Sequence, residues 1–265
     1  MTKTPEQLTV QVGPITAKYQ KAGEGEPLLY LHGAFGYDGW PEFLDLLSQS
    51  FTVYAPLHPG FEGDSGLDHI EDLLDLTLYH DELIESLGLE SPHVVGHYSG
   101  AMVAAEMAVI CSCNIGKIVL AAPAGLWQDD NPGRDYNTTP ITEMRQALFA
   151  DADSDVAHSI YPTPKDDEEL GWQIIHRVQS LNAVGKFLWP IPDKGLIRRA
   201  RRIKNPTLVI VGDRDQIVPA SYAEMLTSRI ANSQAVTMPD SGHMFPHEHP
   251  AKFAKVVSEF LADGE

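Results

Sequence analysis

The chain has 265 residues, and 37 acidic against 19 basic side chains give a formal net charge of −18. With 43% hydrophobic and 21% charged residues there is material for a real core, so wholesale disorder is excluded, and the length suits one domain of roughly 200–250 residues carrying an insertion. So acidic a chain also excludes a nucleic-acid or anionic-membrane partner, because binding phosphate needs clustered Lys and Arg.

The N-terminus, Met1 to Gln7, carries no apolar signal region, and no run approaches the ~18 apolar residues of a membrane span. A cytoplasmic protein without a membrane partner is expected. Strands are predicted at Leu8–Val12 and Thr16–Gln20, with a turn at Gly13-Pro14. Pro27–Leu31 reads as a buried strand ending in His32-Gly33, and Phe51–Ala55 as another ending at Pro56. A helix is predicted to start at Asp68, with Glu71 completing a capping box and Gly88 as its stop. Leu73, Leu76, Leu83 and Leu87 hold one face of it. His93–Val95 is the next strand, followed by a helix through Ala101–Ile110, and Ile118–Ala121 is a further strand. Cys111 and Cys113 are too close for an ordinary structural disulfide and make a poor zinc site, so free thiols in a reducing compartment are expected.

From Trp127 to about Pro192 the sequence is polar, acidic and Pro-rich, with no strand signal. Its aromatics, among them Trp127, Tyr136, Phe149, Trp172, Phe187 and Trp189, are too many for a solvated tether. Residues 126–192 are therefore expected to form an inserted helical lid on a core made of 1–125 and 193–265. The run Asp166–Glu169 reads as solvated lid surface, and Arg198-Arg199-Ala200-Arg201-Arg202 as a solvated helix face. Alternation resumes with strand Pro206–Val211, a helix over Tyr222–Ile230 and strand Gln234–Met238. A last helix carries Phe253, Val256, Val257, Phe260 and Leu261 on one side, with His247 and His249 solvated at its start. Strands alternating with helices define an α/β fold with a mostly parallel sheet.

The chemistry gathers where strands end. Gly96-His97-Tyr98-Ser99-Gly100 follows a strand and opens a helix, and its two glycines flank position 98 as a nucleophile elbow requires. Gly33-Ala34-Phe35 ends an earlier strand, so the backbone N–H of Ala34 or Phe35, with that of Ser99, is positioned for an oxyanion. Asp215 follows a later strand and His243 the last one, with Asp213 as a rival acid. Elbow, acid, histidine is the chain order this architecture uses.

With these pieces, and with His58-Pro59-Gly60-Phe61, Ala122-Pro123-Ala124-Gly125, the spacing of Asp215 to Pro219 and Gly242-His243, nearly the whole chain resembles the α/β-hydrolase family. The block from Leu188-Trp189-Pro190 to Pro206-Thr207-Leu208 is similar to the lid-to-core return of bacterial members near the carbon–carbon bond hydrolases of aromatic ring cleavage. The resemblance implies His243 as base, Asp215 as its orienting acid and no cofactor. It also implies a small-molecule substrate and leaves a homodimer open. It places the nucleophile at position 98, where the family has Ser, sometimes Cys or Asp, and this chain has Tyr98.

Three roles for Tyr98 follow: an unusual nucleophile, a hydrogen-bond donor to a substrate carbonyl, or a plug in a dead site. Ionising a phenol of pKa about 10 at pH 7 costs roughly 4 kcal/mol, and a phenyl-type ester expels phenoxide before alkoxide, so acyl transfer through it suits only activated acyl groups. Ser99 as nucleophile in a shifted register would put the bulky His97 where the turn needs almost no side chain. The expected reaction is hydrolysis of an ester, a lactone or a carbon–carbon bond beside a carbonyl. The alternatives are lyase, isomerase or cofactor-free oxygenase chemistry using His243, or a binding protein. Gly33, Trp127, Trp172 and Trp189 are candidate pocket residues, and the aromatics among them favour an apolar or aromatic substrate. No metal site is expected, since His247 and His249 lack a third ligand.

Overall fold

Hydrophobic runs of strand length assemble into one eight-stranded sheet in a computed structural model that describes residues 4–37, 39–61, 65–189 and 193–263. The strands are β1 (Glu6–Val12), β2 (Ile15–Ala22), β3 (Glu26–Leu31), β4 (Phe51–Pro56), β5 (His93–His97), β6 (Ile118–Ala121), β7 (Thr207–Gly212) and β8 (Ser233–Met238). Their spatial order is β1-β2-β4-β3-β5-β6-β7-β8; only the pairs β1–β2 and β2–β4 are antiparallel. The central strands β6 and β7 are buried along their whole length, as a parallel strand covered on both faces should be, whereas the edge strands β1 and β8 show exposed positions.

The helices are α1 (Glu42–Leu47), α2 (Leu73–Ser86), α3 (Ser99–Ile110), α4 (Met144–Leu148), α5 (Asp155–Ile160), α6 (Asp167–Leu188), α7 (Leu196–Arg199), α8 (Ser221–Thr227), α9 (Phe245–Glu248) and α10 (Pro250–Ala262). After β3 the chain steps to one side to form β4, then crosses back to form β5 on the other side. That reversal opens a crevice at the carboxyl ends of β3 and β5, the usual ligand position in an open α/β sheet. Helix α3, buried along nearly its whole length, runs back from the crevice against β5 and β6.

Two local expectations are corrected. Helix α2 begins four residues later than predicted. Asp68 lies in the 3₁₀ turn Ser65–His69, and Asp72 is the cap, accepting from the N–H groups of Leu74 and Asp75 at 2.8 and 3.0 Å. Asp75 answers by accepting from Glu71 N–H at 2.9 Å, so a reciprocal cap exists one turn further on. The insertion between β6 and β7 has no strand among its described residues and is helical, as expected: it holds the 22-residue helix α6, capped by Asp166. The basic run is not wholly solvated, since Arg199 forms a bidentate pair with Glu106 of α3, whose side chain is 4% exposed. Cys111 and Cys113 are free, the former buried, and burial first, then Asp81, pushes the Cys111 thiol up to about 12.

Candidate active site

The elbow is built by the absence of two side chains. A Cβ on Gly96 would fall 2.5 Å from Ala101 N and collide with the Gly100 carbonyl. A Cβ on Gly100 would fall 2.6 Å from the His32 carbonyl oxygen and still closer to that of Leu31. Between them Tyr98 adopts φ 49°, ψ −107°, a conformation that costs a non-glycine residue about 1–3 kcal/mol and persists only where its surroundings impose it. Its N–H donates to Ala121 and its carbonyl accepts from Met102 and Ala124, which fixes the apex from both sides.

Asp215 and His243 meet as expected. His243 Nδ1–H donates to Asp215 Oδ2 at 2.9 Å, and the two side chains are 1% and 0% exposed. Asp215 Oδ1 accepts from the N–H groups of Ile217 and Val218 at 2.8 and 2.9 Å, so the carboxylate is locked by its own turn. With Nδ1 donating, Nε2 is the free, basic nitrogen. The rival Asp213 accepts from Ser241 N–H and does not touch His243.

Tyr98 departs from a serine in one decisive respect. Its ring stands at 86° to the His243 ring with centroids 4.9 Å apart, and no hydrogen bond joins its hydroxyl to the imidazole. Burial, then the neighbouring Tyr136, Asp135 and Asp215, pushes its phenol well above the usual tyrosine value. Ser99, the first residue of α3, lines a separate apolar pocket with His58, Met102 and Phe187, and its buried Oγ has no hydrogen-bond partner and makes no bond to His243. Its N–H, with those of Ala34 and Phe35, has no acceptor among the described residues. Gly33 packs on the elbow itself, since a Cβ there would lie 3.4 Å from that of Tyr98.

The aromatic candidates divide. Trp127 lines the cavity over Tyr98, together with Leu126, Asp135 and Tyr222. Trp172 does not, because it sits 57% exposed on the outer face of α6, and Trp189 lies in a different groove. The sequence reading missed Tyr136 as a site residue: its ring is tilted against that of Tyr98 (6.1 Å) and edge-on to that of Phe35 (4.9 Å), its hydroxyl bonds Ser180 Oγ at 2.8 Å and the Arg177 guanidinium lies 3.9 Å over its ring. Ser180 in turn donates to the Ala34 carbonyl, tying α6 to the Gly33–Phe35 turn. It also missed Glu248, which accepts from Gly242 and Ala150 N–H, both at 2.8 Å, and so anchors the histidine loop to the insertion.

A chain of buried imidazoles supports the same turn. His32 Nδ1–H donates to the Gly33 carbonyl, so its Nε2 accepts from His58 N–H at 2.9 Å. His58 Nε2–H donates to the His32 carbonyl at 3.0 Å, which leaves its Nδ1 to accept from His80 Nε2–H at 2.8 Å. Every proton is placed with all three rings neutral. His97 packs beside the elbow, donating to the His243 carbonyl at 3.0 Å. His247 is half-buried, not fully solvated: its ring meets the edge of Phe43 at 5.1 Å, and burial lowers its pKa to about 4. Among the described residues no group of three His, Cys, Asp or Glu is placed to hold a metal ion, and no helix is long and apolar enough to cross a membrane.

An open, mostly parallel sheet with a glycine-flanked apex after β5, an acid after β7 and a histidine after β8 defines the α/β-hydrolase fold. The sequence model of the α/β hydrolase family matches residues 28–256, and the chain belongs to that family. Over 268 residues it is 26% identical to the 2-hydroxy-6-oxo-6-(2'-aminophenyl)hexa-2,4-dienoic acid hydrolase of Metapseudomonas resinovorans, covering 96% of this chain and 90% of that one. It is 28% identical to the monoacylglycerol lipase ABHD6 of Homo sapiens, with 91% and 77% covered. Among solved structures, the meta-cleavage product hydrolase CumD of Pseudomonas fluorescens IP01 superposes with a TM-score of 0.77 at 22% identity, covering 97% of this chain and 98% of that one.

Proposed function

We propose that the protein is a hydrolase cleaving an ester, a lactone or a carbon–carbon bond next to a carbonyl in a small apolar or aromatic substrate. In this reading His243 is the general base, Asp215 orients it, and Tyr98 is a neutral hydrogen-bond donor, not a nucleophile. The observation that carries the reading is the buried His243–Asp215 pair beside a phenol that is kept protonated and unbonded to the base.

His243 Nε2 takes a proton from water as the oxygen adds to the carbonyl carbon. The negative charge that develops on the carbonyl oxygen is held by the Tyr98 hydroxyl and by the free N–H groups of Ala34, Phe35 and Ser99. When the intermediate collapses, the imidazolium returns its proton to the leaving alkoxide or carbanion, which balances the step. Residues 126–192 act as the lid, with Trp127 and Tyr136 supplying the aromatic wall. The two free thiols support a reducing, cytoplasmic setting. Because no hydroxyl is bonded to His243, the base is equally free to take a proton from the substrate itself, the second reading, a lyase, isomerase or cofactor-free oxygenase.

The test is turnover of aryl and alkyl esters, lactones and vinylogous diketones in ¹⁸O-water by the wild type, His243→Ala and Tyr98→Phe, with intact mass after a fluorophosphonate. One ¹⁸O in the acid product, no covalent adduct, a loss of about 10²–10⁴-fold in His243→Ala and about 10²-fold or more in Tyr98→Phe are expected. An adduct on Tyr98 or Ser99 overturns the non-covalent route. Full activity in His243→Ala sinks the whole reading, and product without ¹⁸O selects the second.

A further inference from the structure

The chain after β3 makes a β-turn: Gly36 N–H donates to the Gly33 carbonyl at 3.1 Å, with Ala34 and Phe35 as the central residues. Neither central residue has a left-handed φ, which is the pattern of a type I turn. Types I and II differ chiefly by a flip of the middle peptide, here the one joining Ala34 to Phe35. A peptide is planar and trans, so its C=O and N–H point opposite ways. Whatever holds the Ala34 carbonyl therefore also aims the Phe35 N–H. The holder is Ser180, a buried residue inside α6, whose hydroxyl donates to that carbonyl. The geometry points to Ser180 as a positioning residue for the reaction, aiming the Phe35 N–H at the developing oxyanion through the Ala34–Phe35 peptide. This inference rests on the reading of that N–H as an oxyanion donor.

The protons run in one direction. A carbonyl only accepts, so the single Ser180 hydroxyl proton goes to Ala34, and the 2.8 Å contact with Tyr136 is a bond donated by the Tyr136 hydroxyl. Tyr136 is held in turn, because Arg177 donates to its carbonyl and to that of Thr139 and covers its ring at 3.9 Å. Ser180, Tyr136 and Arg177 all lie between β6 and β7, whereas the turn follows β3, so the insertion fixes a donor of the core. The Phe35 N–H itself has no acceptor among the described residues. Phe35 also limits what the loss of Ser180 can do. A full flip to type II would need a left-handed φ there, which a residue with a Cβ adopts rarely. Without the hydroxyl the peptide should rock rather than invert. Deleting an oxyanion donor lowers kcat by about 10²–10³-fold, so blurring the aim of one donor among several should lower it about tenfold.

Kinetics with 4-nitrophenyl acetate and ¹⁵N relaxation of phenylalanine-labelled protein test this in the wild type, Ser180→Ala and Ser180→Thr. The chain has nine phenylalanines, few enough for Phe35→Leu to identify the Phe35 amide signal. In Ser180→Ala, kcat should fall about tenfold with KM changed less than about twofold, the mark of an interaction used in the transition state. The order parameter of the Phe35 N–H should drop from about 0.85 to about 0.7 or below. Ser180→Thr keeps the hydroxyl and should restore most of both; Ser180→Ala carries the test alone if the added methyl does not fit. A raised KM with kcat intact would make Ser180 a fastener of the insertion and overturn the proposal. So would an unchanged order parameter in Ser180→Ala, or a lowered one with kcat intact. If the order parameter falls but the wild type turns over no ester, lactone or vinylogous diketone, the hydrolase reading alone is refuted and the link from Ser180 to the Phe35 N–H stands.

Discussion

Acidification to pH 6 should destabilise this protein far more than it does most. Five histidines, His32, His58, His80, His97 and His247, are held neutral, with burial the largest cause in each. His58 and His247 fall to about 4, and the other three are lowered well below the usual value. A folded pKa below the unfolded one means that the unfolded chain takes up more protons as pH falls. Stability is therefore full above about pH 6.5 and is lost on descending toward pH 4. With an unfolded pKa of about 6.5, each histidine contributes a loss of about 0.8 kcal/mol between pH 7.5 and 6.0 and about 1.4 kcal/mol by pH 5.5. Five such groups amount to about 4 kcal/mol at pH 6.0 and about 7 kcal/mol at pH 5.5, comparable with the entire stability of an ordinary domain.

Glu248, whose carboxyl is raised chiefly by burial, opposes this as a single half-buried group. Thermal melts followed by circular dichroism should show Tm falling by about 10 °C from pH 7.5 to 6.0, and acid unfolding centred between about pH 5 and 5.5. His247→Leu removes one proton site without touching the imidazole chain, so its fall should be smaller by about 2 °C. A Tm that moves by less than about 2 °C over that interval would refute the reasoning, because it would mean the buried rings accept protons in place.

Gly100→Ala should cost about 3 kcal/mol or more and abolish activity, since its Cβ collides with the Leu31 and His32 carbonyls; urea melts and turnover check both. If Gly100→Ala is as stable as wild type, the elbow is not packed as described. Arg199→Met leaves the buried Glu106 without its partner and should cost about 2–3 kcal/mol, discounted because the arginine is 37% exposed. Adding Glu106→Gln should recover part of that in a double-mutant cycle, and additive losses would show that the pair contributes nothing.

The fold was legible because its signals are local. Val94, Val95, Val209 and Ile210 are apolar runs of strand length, and Gly96 and Gly100 are demanded by backbone contacts two or three residues of any identity could not satisfy. The insertion was expected to be helical, but the bounds of α6 were not legible, because its apolar residues do not share one stripe. Leu170, Trp172, Ile174, Ile175 and Val178 are exposed on its first half, while Ala183, Val184, Phe187 and Leu188 are buried on its second. The same holds for Tyr136, Ser180, Glu248 and the rings of His58 and His80. Each acts through a partner more than 20 residues away, and spacing carries no trace of such pairs.

Tyr98 belongs to both categories at once, and that is why the chemistry turns on it. Its position was readable, since an apex between two glycines points its side chain toward the pocket whatever the side chain is. Its state was not, because the pKa of a phenol is set by burial and by neighbours contributed from other parts of the chain. The strained apex and the locked Asp215–His243 pair have both been kept around a residue that gains nothing from being deprotonated there. Tyr98→Ser isolates that point. It removes the ring that stands between the apex and His243, and a hydroxyl on the shorter side chain falls on the base's side of the elbow. If the machinery is a serine-hydrolase frame run without its nucleophile, this variant should acquire a fluorophosphonate adduct at position 98 and a burst with p-nitrophenyl esters. Loss of a large buried ring should lower its stability by about 3 kcal/mol. A folded Tyr98→Ser variant that takes no label would show that His243 is not aimed at the apex, and the water-activating geometry argued for the wild type would fall with it.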